Sequence, residues 1–315
     1  MNIVEGRVMQ CKFEEKQYEQ PLNYELAWRR NVLPAGQVFE NTVAIDAAIF
    51  SRNREFWDLW KTGSTSAWRS GLILTPELWD DVEKKLNKAD FPKFKFNLLV
   101  QHKRPEYIKS RAGNEYPYWN QPYFRYDLEE DQQGILYTLE KRVSSEAIVV
   151  YACPSFWTKQ ELFKFIHSSK LVENSNFVQP SILEGHSRYA FVAGGNTGRA
   201  CSEPKETTPF NLLAEIDKRF EMNLTFDNNT QFLRKFAATV RAAIKESGDR
   251  IQEDFLSVEK AIGLPEHEFG TAMVTALTFA YFTATSWLIG YKISHAAAAN
   301  NYVQNGRIKG LLDNL

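Results

Sequence analysis

The sequence predicts an α/β protein with a mixed central sheet flanked by helices, followed by an all-helical C-terminal domain. Three observations lead there. Residues 94–103 (FKFNLLVQHK) alternate, with Phe94, Phe96, Leu98 and Val100 on one face and Lys95, Asn97, Leu99, Gln101 and Lys103 on the other. Period two is the mark of a strand. Residues 147–152 (AIVVYA) form a continuous apolar run, as expected of a strand buried on both faces. Helical patterns occupy 128–143 and 159–167, and from Phe210 the pattern is helical to the end. The polar, Gly-rich stretch 193–209 reads as a linker, which places the domains at 1–205 and 206–315.

The remaining elements follow in order. Residues 1–20 are a polar lead-in, and 21–31 read as a short helix opened by Pro21 and broken by Pro34-Ala35-Gly36. Residues 37–50 read as extended chain, with Ile45, Ala47 and Ile49 pointing one way and Asp46, Ala48 and Phe50 the other. Residues 75–88 start at Thr75, carry Glu77 and Asp80 early and Lys84 and Lys85 late, and so predict a capped helix. An aromatic, Pro-containing loop is expected at 115–126. Residues 270–291 carry no charge, but their Thr, Ser and Ala content makes the hydropathy moderate. They are expected to form a buried helix rather than a membrane span.

Composition narrows the function classes. Of 315 residues, 43% are apolar, 24% charged and 14% aromatic, the profile of an ordinary globular chain. The net charge is -1, so any nucleic-acid contact must come from a local basic patch. Cys11, Cys153 and Cys201 have no CxxC spacing, which predicts neither a disulfide framework nor a zinc site. The N-terminus lacks an apolar signal core, and a cytoplasmic location without membrane attachment is expected.

Phosphodiester hydrolysis requires a divalent metal on acidic ligands, a positioned water and charge stabilisation at the phosphate. Gln101 and Lys103 share one face of a strand. Gln101 can offer an amide oxygen near a metal, and Lys103 can stabilise the phosphate. Asp46 lies in an apolar strand, AIDAAIF, where an unpaired carboxylate is costly. A bound metal, or a buried Arg, would resolve that cost. Glu25 on the preceding helix can supply a further ligand or base, with Glu40 as the alternative.

This order of residues resembles the PD-(D/E)XK, or restriction-endonuclease-like, nuclease superfamily. The pattern is an acidic helix residue, Asp46 in a strand, then Gln101-x-Lys103, the form found in its Mrr-like branch. The segments VFENTVAIDAAIF, LLVQHKRPEY and AIVVYACPSFWTKQELF are also similar to nuclease domains of bacterial antiphage defence systems. The resemblance covers about 20–200. Ile45 stands where many members have Pro, and the span from Asp46 to Gln101 is long, so the Trp-rich segment must be an elaboration.

The resemblance implies a metal-dependent deoxyribonuclease using Mg²⁺ or Mn²⁺. Glu25, Asp46, Gln101 and Lys103 would be catalytic, the first three as metal ligands. It further implies an oligomer, with DNA as substrate and an ATPase or sensor protein as partner. Gln133 and Tyr137 share a helix face and resemble a pair that contacts DNA in the RecB-like branch. Arg104, Lys109 and Arg111 follow the proposed catalytic strand, where a phosphate backbone would pass or a solvated edge would lie. The rival expectation is a nuclease-fold assembly or sensor subunit that has lost activity. His102 is expected as a packed core residue and His186 in a structural hydrogen bond. The Gly194–Gly198 run lacks the Lys-Ser/Thr of a nucleotide-binding loop.

Overall fold

The computed structural model describes residues 8–30, 32–34, 94–143, 147–195, 197–201, 205–207, 210–222, 227–249 and 293–299, with parts of 80–87, 251–256 and 268–275. The strands are β1 (Val8–Gln10), β2 (Val32–Pro34), β3 (Phe94–His102), β4 (Glu106–Ile108), β5 (Tyr123–Asp127), β6 (Ala147–Pro154), β7 (Ser175–Val178), β8 (Arg188–Phe191), β9 (Arg199–Ala200), β10 (Lys205–Glu206) and β11 (Ile293–Ala299). The helices are α1 (Glu15–Arg30), α2 (Tyr116–Trp119), α3 (Glu130–Val143), α4 (Lys159–His167), α5 (Leu212–Glu221) and α6 (Asn229–Glu246). The architecture is mixed α/β, with antiparallel pairings and helices beside them. Contacts divide the chain into two units. One comprises Met1–Arg30, Leu99–Lys141 and Ile148–Lys218; the other comprises Asn31–Leu98, Arg142–Ala147 and Arg219–Leu315. The first unit thus runs past residue 205.

In the first unit, α1 starts six residues before Pro21. Glu14 donates its backbone N–H to Gln17 Oε1 at 3.0 Å, half of a capping box. Pro21 sits inside the helix, so one intrahelical bond is missing there. Burial of Tyr18, Leu22 and Leu26, one turn apart, offsets that loss. Helix α4 has the bounds its pattern predicts. Thr158 accepts from the Glu161 N–H at 3.2 Å and Glu161 accepts from the Thr158 N–H at 3.0 Å, a complete capping box.

Six strands form a sheet in the order β1-β4-β5-β8-β9-β10, antiparallel throughout. Alternation gives it two different faces. Tyr107, Phe124, Tyr126, Tyr189 and Phe191 form an aromatic face, with Phe124–Phe191 centroids 5.6 Å apart and Tyr126–Tyr189 5.6 Å apart. That face meets Trp157 through Tyr107 at 5.4 Å and β6 through Tyr126 and Tyr151 at 6.0 Å. The opposite face carries Glu106, Tyr123, Arg125, Asp127, Arg188, Arg199 and Cys201. All eight residues of β6 are buried, as its apolar run predicts, and β6 pairs antiparallel with β7.

Two expectations change. The stretch 193–209 is not a free linker. Gly195 N–H donates to Ser175 O at 2.8 Å, Asn176 Nδ2 donates to Thr197 O at 3.0 Å, and β9 and β10 extend the six-stranded sheet. Its glycines permit close approach, since a Cβ at Gly194 would overlap Glu173 O and one at Gly198 would overlap Tyr189 Oη. The C-terminal region is not all-helical either. It holds α5 and α6, and α6 is capped by Asn228, which accepts from Gln231 N–H at 2.8 Å. But β11 pairs antiparallel with β2, Ala296 opposite Pro34. A run of alanines favours helix locally, and cross-strand backbone bonding overrides that preference here.

Most of the uncharged stretch 270–291 and the expected strand 37–50 lie outside the described residues. Among the described residues no helix is long and apolar enough to cross a membrane.

Gly194→Ala tests the packing of 193–198. The new methyl meets backbone atoms that cannot swing aside, so the substitution should cost about 1–3 kcal/mol. A flexible linker would tolerate it, and the urea midpoint distinguishes the two.

Candidate functional site

The end of β3 places Gln101 and Lys103 in the interior. Every residue from Phe96 to Lys103 is buried, so the polar face of the alternating strand is as dry as the apolar one. Lys103 N–H donates to Ala152 O of β6 at 2.9 Å, which fixes the backbone. Its side chain passes the Tyr151 ring, with Nζ 5.7 Å from the centroid. Tyr151 is itself held, since its hydroxyl donates to Gln133 Oε1 at 2.8 Å and Gln133 Nε2 donates to Pro180 O at 2.7 Å.

Burial pushes the Lys103 pKa down, because a charged amine loses hydration there. Glu15 opposes that shift most strongly, followed by Glu129, Cys153 and Asp127. None of the described carboxylates stands within 4.0 Å of Lys103 Nζ. The side chain is therefore a desolvated base without a direct counterion among the described residues. Gln101 lies two residues earlier. Its Nε2 donates to His102 O at 2.9 Å, while its buried Oε1 has no hydrogen-bond partner among the described residues. A buried acceptor without a donor costs free energy unless something else reaches it. His102 is a packed core residue, edge-on to Tyr18 at 5.7 Å.

The other expected site residues occupy different settings. Glu25 is 5% exposed, and both its oxygens accept backbone N–H groups, Oε2 from Leu171 at 2.7 Å and Oε1 from Val172 at 3.3 Å. It stands ten residues after Glu15, about 15 Å further along α1 at helical rise. Asp46, and Glu40 as the alternative to Glu25, lie outside the described residues. Arg104 donates to Cys11 O and stands 3.5 Å from Glu14, holding the turn before α1. Lys109 and Arg111 are exposed. Gln133 is buried with its amide engaged inside the protein. Tyr137 is half-buried, with Lys141 Nζ 4.1 Å from its ring centroid.

Some residues at this site are not picked out by the sequence reading. Glu15, Asp127 and Glu129 supply the negative field at Lys103. Gln132 is 1% exposed, and neither end of its amide has a partner among the described residues. The signal for Gln132 is present in the sequence, since it falls on the apolar stripe of α3 with Ile135, Leu136, Leu139 and Val143. The signal for the carboxylates is absent, because each comes from a different element.

Glu25→Ala should cost about 2–3 kcal/mol, since two buried N–H groups lose a charged acceptor. Glu25→Gln should cost less, because one acceptor oxygen stays. Chemical denaturation of both variants measures this, and an unchanged midpoint for the alanine variant would contradict the bonding to Leu171 and Val172. In comparisons with known proteins, the chain matches no family model, no curated protein and no solved structure.

Proposed function

We propose that the chain is a metal-dependent DNA endonuclease of the restriction-endonuclease-like class, acting in antiphage defence in the cytoplasm. One observation carries this reading. Lys103 is buried at a strand end with no described carboxylate in ion-pair range, two residues from a buried amide oxygen that has no partner among the described residues. A lysine kept in that state is suited to meet an anionic group arriving from outside, such as a phosphate. The mixed α/β architecture is compatible with the class, whose full topology belongs to the proposal.

The metal needs a separate test of fit. Among the described residues, no three His, Cys, Asp or Glu side chains stand together as a metal site. Gln101 Oε1 is a suitable neutral oxygen for Mg²⁺ or Mn²⁺, but it does not hold such an ion alone. The described donors therefore do not fit a hard cation by themselves. In the proposal Asp46 completes the donor set. DNA would approach along Lys109 and Arg111, which are exposed. An unrestrained nuclease would be toxic to its host, so self-association or an ATPase or sensor partner would activate it.

A second reading has one observation in its favour. Both oxygens of Glu25 are engaged by backbone N–H groups, which suits a nuclease fold retained for assembly or sensing rather than cutting.

A plasmid assay with the purified full chain separates the two readings. Nicking or linearisation in Mg²⁺ or Mn²⁺ but not in EDTA is expected, and an intact plasmid in both metals favours the assembly subunit. Lys103→Met should abolish cleavage. The same substitution should raise stability by about 1–2 kcal/mol, because it replaces an unpaired buried amine with an apolar chain of similar length. Asp46→Asn should also abolish cleavage and weaken Mn²⁺ binding by calorimetry, since an amide is a poorer ligand for a hard cation.

A further inference from the structure

The face of the six-stranded sheet that points away from the aromatic core carries three arginines. In register, Arg125 on β5 and Arg199 on β9 flank Ala190 on β8, and Arg188 lies opposite Asp127. Arg125 and Arg188 each donate from Nε to a carboxylate, while Arg199 Nε has a carboxylate nearby without hydrogen-bond geometry. Arg125 Nε stands 2.8 Å from Glu106, Arg188 Nε 2.6 Å from Asp127, and Arg199 Nε 3.1 Å from Glu115. Arg199 also lies over the Tyr118 ring, with Cζ 3.9 Å from its centroid. Arg125 and Arg188 line a cleft of about 80 Å³, together with Asn114, Glu115, Ser187 and Cys201. The Nη groups of these two arginines make no hydrogen bond among the described residues.

A carboxylate on Nε fixes the plane of a guanidinium and leaves the Nη pair as a preset fork. Holding the fork in advance removes most of the ordering cost that a free arginine would lose on binding. The three arginines are balanced by Glu106, Asp127 and Glu115, so the patch does not gather a polyanion by net charge alone. Recognition must then come from hydrogen-bond geometry at one small group. Asn114 and Ser187 add neutral polar side chains. The Cys201 thiol, pushed up to about 12 by burial first and Glu115 second, adds no competing negative charge at neutral pH. Glu115 is the one acidic residue in the lining, and Arg199 faces it.

We propose that this cleft binds a small molecule through one oxyanion group, a carboxylate or a phosphate, held by the Nη edges of Arg125 and Arg188. The site lies on the charged face of the sheet and does not depend on the nuclease reading.

Calorimetric titration of the full chain with inorganic phosphate, acetate and glycine tests it. Phosphate also stabilises proteins by exclusion from their surfaces, so a melting shift alone does not count. Saturable binding of at least one of the three is expected. Phosphate alone identifies a tetrahedral oxyanion, acetate identifies a carboxylate, and glycine without acetate means that Glu115 receives the ammonium. Arg188→Lys and Arg125→Lys keep the charge and lose the fork, and each should weaken the Kd at least tenfold. Lys159→Gln, at an exposed lysine outside the cleft lining, should leave it unchanged. Circular dichroism confirms that the variants fold. Absence of saturable heat with all three probes overturns the proposal, as does an unchanged Kd in both folded lysine variants.

Discussion

Burial of β3 and β6 on both faces is the constraint from which the first unit follows. A strand enclosed in this way gives its side chains no water, so each polar group must find a partner or remain a cost. Ala147–Pro154 meets the condition by being almost wholly apolar. β3 does not, because Gln101 and then Lys103 bring polar groups to its end. The surrounding elements partly answer them. Tyr151 offers its ring to Lys103, Gln133 fixes Tyr151, and Pro180 fixes Gln133. Three amide atoms, Gln101 Oε1 and both ends of Gln132, are left unanswered among the described residues. Natural interiors leave few such atoms, and they concentrate where a ligand or a reaction is served.

The six-stranded sheet applies the same alternation in the opposite sense. Its odd and even positions separate into an aromatic face and an ionic face, and a one-residue slip would exchange them. The aromatic face fixes the register through Tyr107, Phe124, Tyr126, Tyr189 and Phe191. The ionic face is then free to arrange Arg125, Arg188 and Arg199 with their carboxylates. Such exposed or half-exposed pairs add little stability individually. Their consequence is orientational, since the bonds at Arg125 and Arg188 Nε fix where the rest of each guanidinium lies.

How much was legible in the sequence depended on how local the cause was. Helix α4 was readable to its bounds because Thr158, Glu161 and the apolar spacing all lie within ten residues. β6 was readable from its apolar run alone. The start of α1 was missed, because Pro21 resembles a first-turn residue while the actual cap is Glu14 with Gln17. Residues 193–209 read as a linker because glycine suggests freedom; Gly194 and Gly198 are small because Glu173 and Tyr189 leave no room. That Gln101 and Lys103 share a strand face was legible, and that the face is enclosed was not. The partners of Glu25, Leu171 and Val172, stand about 146 residues away in sequence, beyond any local pattern.

Helix α1 shows how one element separates two carboxylates by role. Glu15 is in its first turn, where the helix dipole favours a negative charge, and it dominates the field that opposes desolvation of Lys103. Glu25 is nearly three turns later and closes the loop after α4 through Leu171 and Val172. That loop leads directly into β7, where Ser175 accepts the Tyr18 hydroxyl at 2.7 Å and donates to Leu171 O at 2.6 Å. Tyr18, Ser175, Leu171 and Glu25 thus form one connected set of bonds between α1 and the segment entering β7. Each oxygen of Glu25 accepts one of these N–H groups and keeps a second lone pair. The negative field at Lys103 comes instead from the first turn of α1 and the junction of β5 with α3, through Glu15, Glu129 and Asp127.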